Sequence, residues 1–281
     1  MSAPRRLDAE LVRRGLAGSR AEAQEAVRAG LVTVDGAPAL KPARQVRASQ
    51  DVVVAAPPRA YVSRGGEKLA HALDRFAVAV AGRRCLDAGV STGGFTDCLL
   101  QRDAAGVVAV DVGYGQVHDR IRRDPRVDVR ELTPDAIPPP RPTLVVADLS
   151  FISLAGVVGV LRGLAAPEAE AVVLVKPQFE AGREQVGKGG VVRDPEVWRA
   201  SLRRVADAAR EVGWFTADAT ASPLLGPAGN VEFLLHLVPD APGTDAEAGI
   251  AAAVAEGRAR REQERRGARD ATPATDGSRR G

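Results

Sequence analysis

The chain has 281 residues, 45% hydrophobic and 27% charged, enough for one α/β catalytic domain with a small accessory domain. No apolar run reaches the roughly 18 residues of a membrane-spanning helix and no apolar leader opens the chain, so a cytoplasmic protein without a membrane role is expected. Two cysteines, Cys85 and Cys98, exclude a disulfide framework and read as reduced core residues.

The formal net charge of +3 is unevenly spread. Residues 1–60 hold ten Arg/Lys against six Asp/Glu, whereas 61–240 hold 21 against 23. A basic front end suits nucleic-acid binding, although charge alone fits a solvated surface equally well.

In chain order, the first elements form a small α+β module over residues 5–56. Helices are expected over 6–15 and 19–30, then short strands over 31–36 and 50–56. Ser19 with Glu22 three residues on has capping-box spacing, Gly30 suits the residue that closes the helix, and Asp35-Gly36 marks a two-residue turn. Pro57-Pro58 opens a stiff connector, residues 57–62.

From 63 to 240 apolar strand-like runs alternate with helical ones, the pattern of crossover connections and a mostly parallel sheet. Seven strands are expected, over 83–88, 106–112, 127–132, 143–149, 170–176, 214–222 and 231–238, the last two as an antiparallel edge hairpin. Helices are expected over 94–104, 153–165 and 195–213. The tail, 241–281, has almost no bulky apolar residue; it is expected to start as a helix, bury little and end disordered.

The first of these strands runs into Asp87-Ala88-Gly89-Val90-Ser91-Thr92-Gly93-Gly94-Phe95. Glycines between a strand and a helix let the backbone turn sharply and approach a ligand. A ligand-free turn, a dinucleotide site and a phosphate site share that feature. This loop lacks the Lys-Ser/Thr of a P-loop and the spacing of a dinucleotide fingerprint. Instead Asp87 stands at the strand end, where it could organise the loop and meet a cationic group. Asp111 ends the next strand, where a carboxylate can bind both ribose hydroxyls. The pair favours S-adenosylmethionine, with Asp87, Gly89, Ser91, Thr92, Gly93, Gly94, Phe95, Asp111 and Asp148 as the candidate cofactor residues.

Four charged residues stand at ends of expected elements. Lys68 lies just before the first helix of the domain, Asp148 and Lys176 end two apolar strands, and Glu232 starts the last one. A charge capping a buried strand is costly unless paired, and carboxylates beside lysines supply the pairing. A plain salt-bridge network would satisfy the same pattern.

The ordered motifs RLDAELVRRGL, KPA, RAYV, SRGGEKL, LDAGVSTGGFTDCLL, ADLSFISL, LVKPQFE and GNVEF resemble the TlyA-type ribosomal RNA 2′-O-methyltransferases, relatives of the FtsJ group. The resemblance covers the chain to about Asp240. It implies a Rossmann-like class I methyltransferase domain over 63–240 and a catalytic Lys-Asp-Lys-Glu set at Lys68, Asp148, Lys176 and Glu232. The implied chemistry is in-line attack of a ribose 2′-oxygen, on a cytidine of ribosomal RNA, at the methyl of the cationic sulfur. Lys176 would hold or take the hydroxyl proton, Lys68 would add charge, and the carboxylates would orient the lysines.

Residues 5–54 resemble the small RNA-binding domain first described in ribosomal protein S4. Arg5, Arg6, Arg20, Lys41 and Arg44 are then candidates for phosphate contacts. The connector reads RAYV where the family has RAWV, so Tyr61 replaces a tryptophan. Ribosomal subunits are the implied partners. His71, His118 and His236 lack metal-ligand spacing, so no metal is expected. Two other functions stand beside this one. A haemolytic pore former would need a membrane-inserting helix or a lipid-facing hairpin, and a noncatalytic RNA-binding protein would need no tetrad.

Overall fold

The computed structural model describes residues 4–17, 20–28, 30–55, 60–111, 117–131, 137–226, 228–240, 243 and 245–270. Ser19, Pro57-Pro58 and tail residues 271–281 lie outside them, and with them the expected capping box, the proline stiffening and the disordered end. The chain divides into two compact units, Met1–Arg59 with Glu264–Gly281 and Ala60–Gln263.

The first unit orders β1 (Arg5–Arg6), α1 (Leu7–Arg13), α2 (Arg20–Arg28), β2 (Val32–Val34), β3 (Ala37–Pro38), β4 (Gln45–Val46) and β5 (Val52–Val54). Helical spacing puts Leu7 with Leu11 and Ala23 with Val27 on inward faces, and period two turns Val32 and Val34 onto them. The expected turn forms with Asp35 at φ 52° and Gly36 at φ 77°, joining β2 to β3. Gly30, at φ 73°, ends α2 as expected: its N–H donates to Val27 O, and that of Leu31 to Ala26 O. β2 pairs with β3 and β5, and β1 with β4, all antiparallel. Two-residue strands such as β1 and β4 carry no periodicity, and they were not anticipated.

The second unit orders α3 (Arg64–Arg75), β6 (Arg84–Ala88), α4 (Gly94–Gln101), β7 (Gly106–Asp111), α5 (Asp119–Arg122), β8 (Val127–Glu131), β9 (Leu144–Ala147), α6 (Leu154–Leu164), β10 (Glu170–Val175), α7 (Pro177–Glu180), a 3-10 turn (Arg183–Gln185), α8 (Pro195–Glu211), β11 (Phe215–Ala221) and β12 (Phe233–Val238). A last helix, α9, spans Ala246–Asp270. All seven expected strands form one sheet, in the order β11-β12-β10-β9-β6-β7-β8. Only β12 runs against its neighbours, and with β11 it makes the expected antiparallel hairpin at one edge of the sheet.

Where the sheet is covered on both faces, its inner strands β7, β9, β10 and β12 are apolar at nearly every position. In β10, Ala171, Val173 and Val175 join the core under α6 and α8, while Val172 and Leu174 join the core under α3 and α4. Cys85 and Cys98 are free thiols in the second core, and burial pushes them up to about 12 and about 11.

Two expectations need correction. Lys68 lies within α3, not ahead of it. Gly65-Gly66 looks like a helix breaker, yet Tyr61 packs directly on Gly66, and a Cβ on Gly65 would stand 3.4 Å from the Phe95 ring. Close packing outweighs the roughly 1 kcal/mol per residue that glycine costs a helix. The tail is the second. Its helix α9 buries Ile250, Ala253 and Val254, and a Cβ on Gly257 would be 2.9 Å from Val231 and 3.0 Å from Phe233. Small residues at helical spacing suffice where the approach is this close.

Candidate active site

In an open α/β sheet the ligand crevice lies beyond the carboxyl ends of the strands, where the strand order reverses. Here that point falls between β6 and β9. Ala88 of β6 faces Ala147 of β9, so Gly89 and Asp148 leave the sheet side by side. A Cβ on Gly89, whose φ is +89°, would stand 2.5 Å from the Asp148 carbonyl oxygen. Only glycine leaves that space.

Asp87 sits on the α4 side of β6 and is fully buried. Thr96 of α4 donates its hydroxyl to Asp87 Oδ2 at 2.6 Å, while Oδ1 has no hydrogen-bond partner among the described residues. Burial, with the nearby Asp148 and Asp111 charges, pushes this carboxyl up to about 7. Ser91 has φ 46°, and its N–H donates to Asp111 Oδ2 at 2.7 Å, so the end of β7 ties down the loop after β6. Ser91 and Thr92 are exposed on that loop. Gly93, at φ 97°, turns the chain into α4, and Gly94 packs against Ser63 and Gly66. Phe95 is the odd member of the expected set: its side chain is buried in the core beside Gly65, away from the open loop.

The charged quartet forms two ion pairs, with Lys68, Lys176 and Glu232 buried and Asp148 half-buried. Lys176 Nζ stands 2.6 Å from Asp148 Oδ1 and donates to Ser150 Oγ at 2.7 Å. Lys68 Nζ donates to Glu232, whose side chain is essentially inaccessible. Val175 pairs with Phe233 across the β10–β12 ladder, so Lys176 and Glu232 leave adjacent strands at the same edge. Glu232, Lys176, Asp148, Gly89 and Asp111 therefore succeed one another along five neighbouring strand ends.

Several residues of the site were not singled out in the sequence. Phe151, three positions after Asp148, is 92% exposed, holds φ 65° and leans against Phe179 at 5.4 Å between ring centres. An exposed phenylalanine in the left-handed region is costly twice over, in hydration and in backbone strain. Glu180 is buried, accepting from Ser153 Oγ at 2.7 Å and from the Leu154 N–H at 2.6 Å, which caps α6 and anchors the loop carrying Ser150 and Phe151. The motifs LSF and KPQFE contain these residues, but nothing in a sequence tells an exposed Phe from a buried one.

In the first unit Arg5, Arg6, Arg20 and Lys41 are exposed and Arg44 is half-buried. Asp8, inaccessible on α1, accepts from Arg6 at 2.8 and 3.1 Å, from Arg20 at 3.2 Å and from Gln24 at 2.9 Å. The Arg6 guanidinium holds its carboxyl well below the usual range. One buried carboxylate thus sets two of the expected arginines in fixed positions. The histidines serve locally. His71 lies 3.4 Å from Thr220 Oγ1, His118 Nδ1 caps α5, and His236 binds Glu170. Among the described residues no three His, Cys, Asp or Glu side chains cluster as metal ligands would.

The described end of the connector, residues 60–62, begins the second unit. Val62 N–H donates to Asp97 Oδ2 at 2.8 Å, Gln101 Nε2 donates to Ala60 O at 2.9 Å, and Tyr61 packs into the core over Gly66. Tyr61 therefore fills the aromatic position with its ring on α3.

The chain is similar to known proteins. The FtsJ-like methyltransferase family model matches residues 61–238, and the S4 domain model matches residues 5–53. The 16S/23S rRNA (cytidine-2′-O)-methyltransferase TlyA of Mycobacterium tuberculosis is 58% identical over 239 residues, covering 83% of this chain and 89% of the relative. Hemolysin A of Brachyspira hyodysenteriae is 35% identical over 239 residues, covering 83% and 99%. A solved structure with a provisional hemolysin name, from Streptococcus thermophilus, superposes with a TM-score of 0.70 at 35% identity, covering 95% of this chain and all of that one.

Proposed function

This chain belongs to the FtsJ-like methyltransferase family, and we propose that it transfers a methyl group from S-adenosylmethionine to the ribose 2′-oxygen of a cytidine in ribosomal RNA, with the ribosomal subunit as its partner. The observation that carries this reading is the unbroken row of Glu232, Lys176, Asp148, Gly89 and Asp111 along one sheet edge. It sets two lysine–carboxylate pairs beside a glycine loop.

The residues present fit the cofactor. Asp87 carries a buried oxygen without a partner, the Gly89 crevice would close with any side chain, and Asp111 stands at the second strand end. When bound, S-adenosylmethionine supplies a methyl group on a positively charged sulfur. Asp111 would hold the ribose hydroxyls, Asp87 would set the loop and its charge, and Ser91, Thr92 and Gly93 would offer backbone groups.

Lys176 is the group for the acceptor. Asp148 and Ser150 fix its nitrogen from two sides: as an ammonium it has one N–H left to donate to the 2′-oxygen, and as the neutral amine its lone pair would take that oxygen's proton as the methyl group transfers. Lys68, pinned by Glu232, adds a second positive charge where the oxygen becomes more negative. Holding these groups in advance contributes through orientation rather than through a strong base. Phe151 offers an aromatic face three residues from Asp148, suited to stack a nucleobase for about 1–3 kcal/mol. Arg5, Arg6, Arg20, Lys41 and Arg44 of the first unit would hold phosphates without reading sequence.

The hemolysin names of some relatives bring a pore-forming alternative, but among the described residues no helix is long and apolar enough to cross a membrane. The intact pairs weigh against a purely RNA-binding protein. Purified protein, methyl-labelled cofactor and isolated ribosomal subunits test the assignment, with the modified nucleotide then mapped. Label on a cytidine 2′-oxygen is the expected result; no transfer to either subunit would refute it.

A further inference from the structure

Between the 3-10 turn and α8 the chain makes a tight glycine hairpin. Gly187 N–H donates to Val191 O at 3.2 Å, Gly190 N–H donates to Gly187 O at 3.0 Å, and Gly189 and Gly190 hold φ of 77° and 75°. Surface loops of this composition are usually the least ordered part of a fold. This one is fixed from beneath. Asn230, 2% exposed, accepts the Val192 N–H at 2.9 Å and donates to Gly190 O at 2.8 Å. The Trp198 indole donates to Val192 O at 3.1 Å.

The anchor is part of the segment that carries Glu232. Asn230 stands two residues before Glu232, and its own carbonyl accepts the Gly226 N–H at 2.9 Å. A Cβ on Gly226 would stand 2.5 Å from Glu232 Oε1, so the hairpin and the Lys68–Glu232 pair rest on one packed support. On its outer side the hairpin presents Lys188 at the tip and Arg193 beyond its second arm, both exposed. A Cβ on Gly187 would lie 3.2 Å from Arg193 Nη1, which places that guanidinium against the base of the hairpin. Arg102, Arg120, Arg126, Arg130 and Arg203 of the same unit all have carboxylate partners. Lys188 and Arg193 have none among the described residues.

We propose that this hairpin is a second RNA-contact site, on the catalytic unit itself, where Lys188 and Arg193 take a backbone phosphodiester of the substrate. The proposal rests on the RNA-methyltransferase function above. A loop locked in advance loses little entropy when RNA binds, and a phosphate contact fixes the register of a strand without reading its bases. Asn230 converts that register into a fixed distance from Glu232, and so places the nucleotide relative to the tetrad.

The test uses the full chain with Lys188→Ala, Arg193→Ala, the double variant and an Arg210→Ala control, with ribosomal RNA as the probe. Arg210 carries the same charge at the far end of 17-residue α8, about 25 Å along the helix. The double variant should raise KM for RNA about tenfold and leave the affinity for S-adenosylmethionine unchanged. Its log–log salt dependence of RNA binding should flatten by about one to two units, while Arg210→Ala keeps the wild-type slope. A wild-type KM and slope in the double variant, or an equal loss in Arg210→Ala, overturns the proposal. If the wild-type protein transfers no methyl group to RNA, the functional assignment fails first. The salt slope of RNA binding without cofactor then still decides the hairpin.

Discussion

The two edges of the seven-stranded sheet both hold ion pairs, and they use them in opposite ways. At the amino edge Arg83 pairs with Glu170, donates to Thr143 Oγ1 at 3.2 Å and to Ala79 O at 3.2 Å, and Glu170 also holds His236 at 2.6 Å. His236 stacks on Phe76 with ring centres 5.4 Å apart, and the Trp214 indole donates to Ala169 O. These partners answer one another, as in a structural clasp. At the carboxyl edge the pairs are more deeply buried, and there Asp87 Oδ1 lacks a partner, Gly89 keeps a crevice open and Phe151 stands in solvent. Ion pairs alone therefore do not separate the edges; an unpartnered buried carboxylate oxygen and an empty space beside them do.

Substitutions at the two edges should separate along that line. The largest expected effect is that of Lys176→Ala, which should lower the single-turnover rate of methyl transfer by about 10²–10⁴ with a near-normal melting temperature. A rate within tenfold of wild type would mean that this pair is a clasp as well. Asp87→Asn should weaken cofactor binding about tenfold or more in calorimetry while stabilising the free protein at pH 8. The sign follows from linkage. With a folded value of about 7 against an ordinary 3.8, the folded state binds the extra proton between them, so stability falls as pH rises from about 4 to 7 and is flat above. Asparagine keeps an acceptor for Thr96 and removes that slope; an unchanged pH profile in denaturant titrations would contradict the assignment. Phe151→Ala should raise KM for RNA several-fold without lowering the melting temperature, and a drop of several degrees would make it a packing residue instead. Smallest in activity is Glu170→Gln, which should cost about 1–3 kcal/mol in urea unfolding while transfer at 25 °C stays within twofold.

Local pattern carried much of this protein. Alternation and turn chemistry located the seven strands, the Asp35-Gly36 hairpin and the Gly30 helix end, because each depends on residues within a few positions of one another. The loop from Asp87 was legible for the same reason: strand, glycines and helix are contiguous. Lys68 in α3 was not, since two glycines spoil helix propensity locally and only the Tyr61 and Phe95 rings, brought from outside the helix, restore it. The burial of helix α9, though not the helix itself, escaped likewise, because Ala and Gly count as weakly apolar until a flat surface such as Val231 and Phe233 comes within contact.

Sequence by itself determined the class of sheet, the order of its elements and the residue types at the strand ends. A period of two or 3.6 and the cost of burying an unpaired charge are properties of short stretches. Only the tertiary structure decided which lysine meets which carboxylate, that Asp87 is left with an unpartnered oxygen, that Phe95 turns inward while Phe151 turns out, and that Asn230 ties a distant hairpin to Glu232. Those outcomes depend on which strands lie side by side, and contacts between residues 26 to 164 positions apart leave no periodicity in the chain to read.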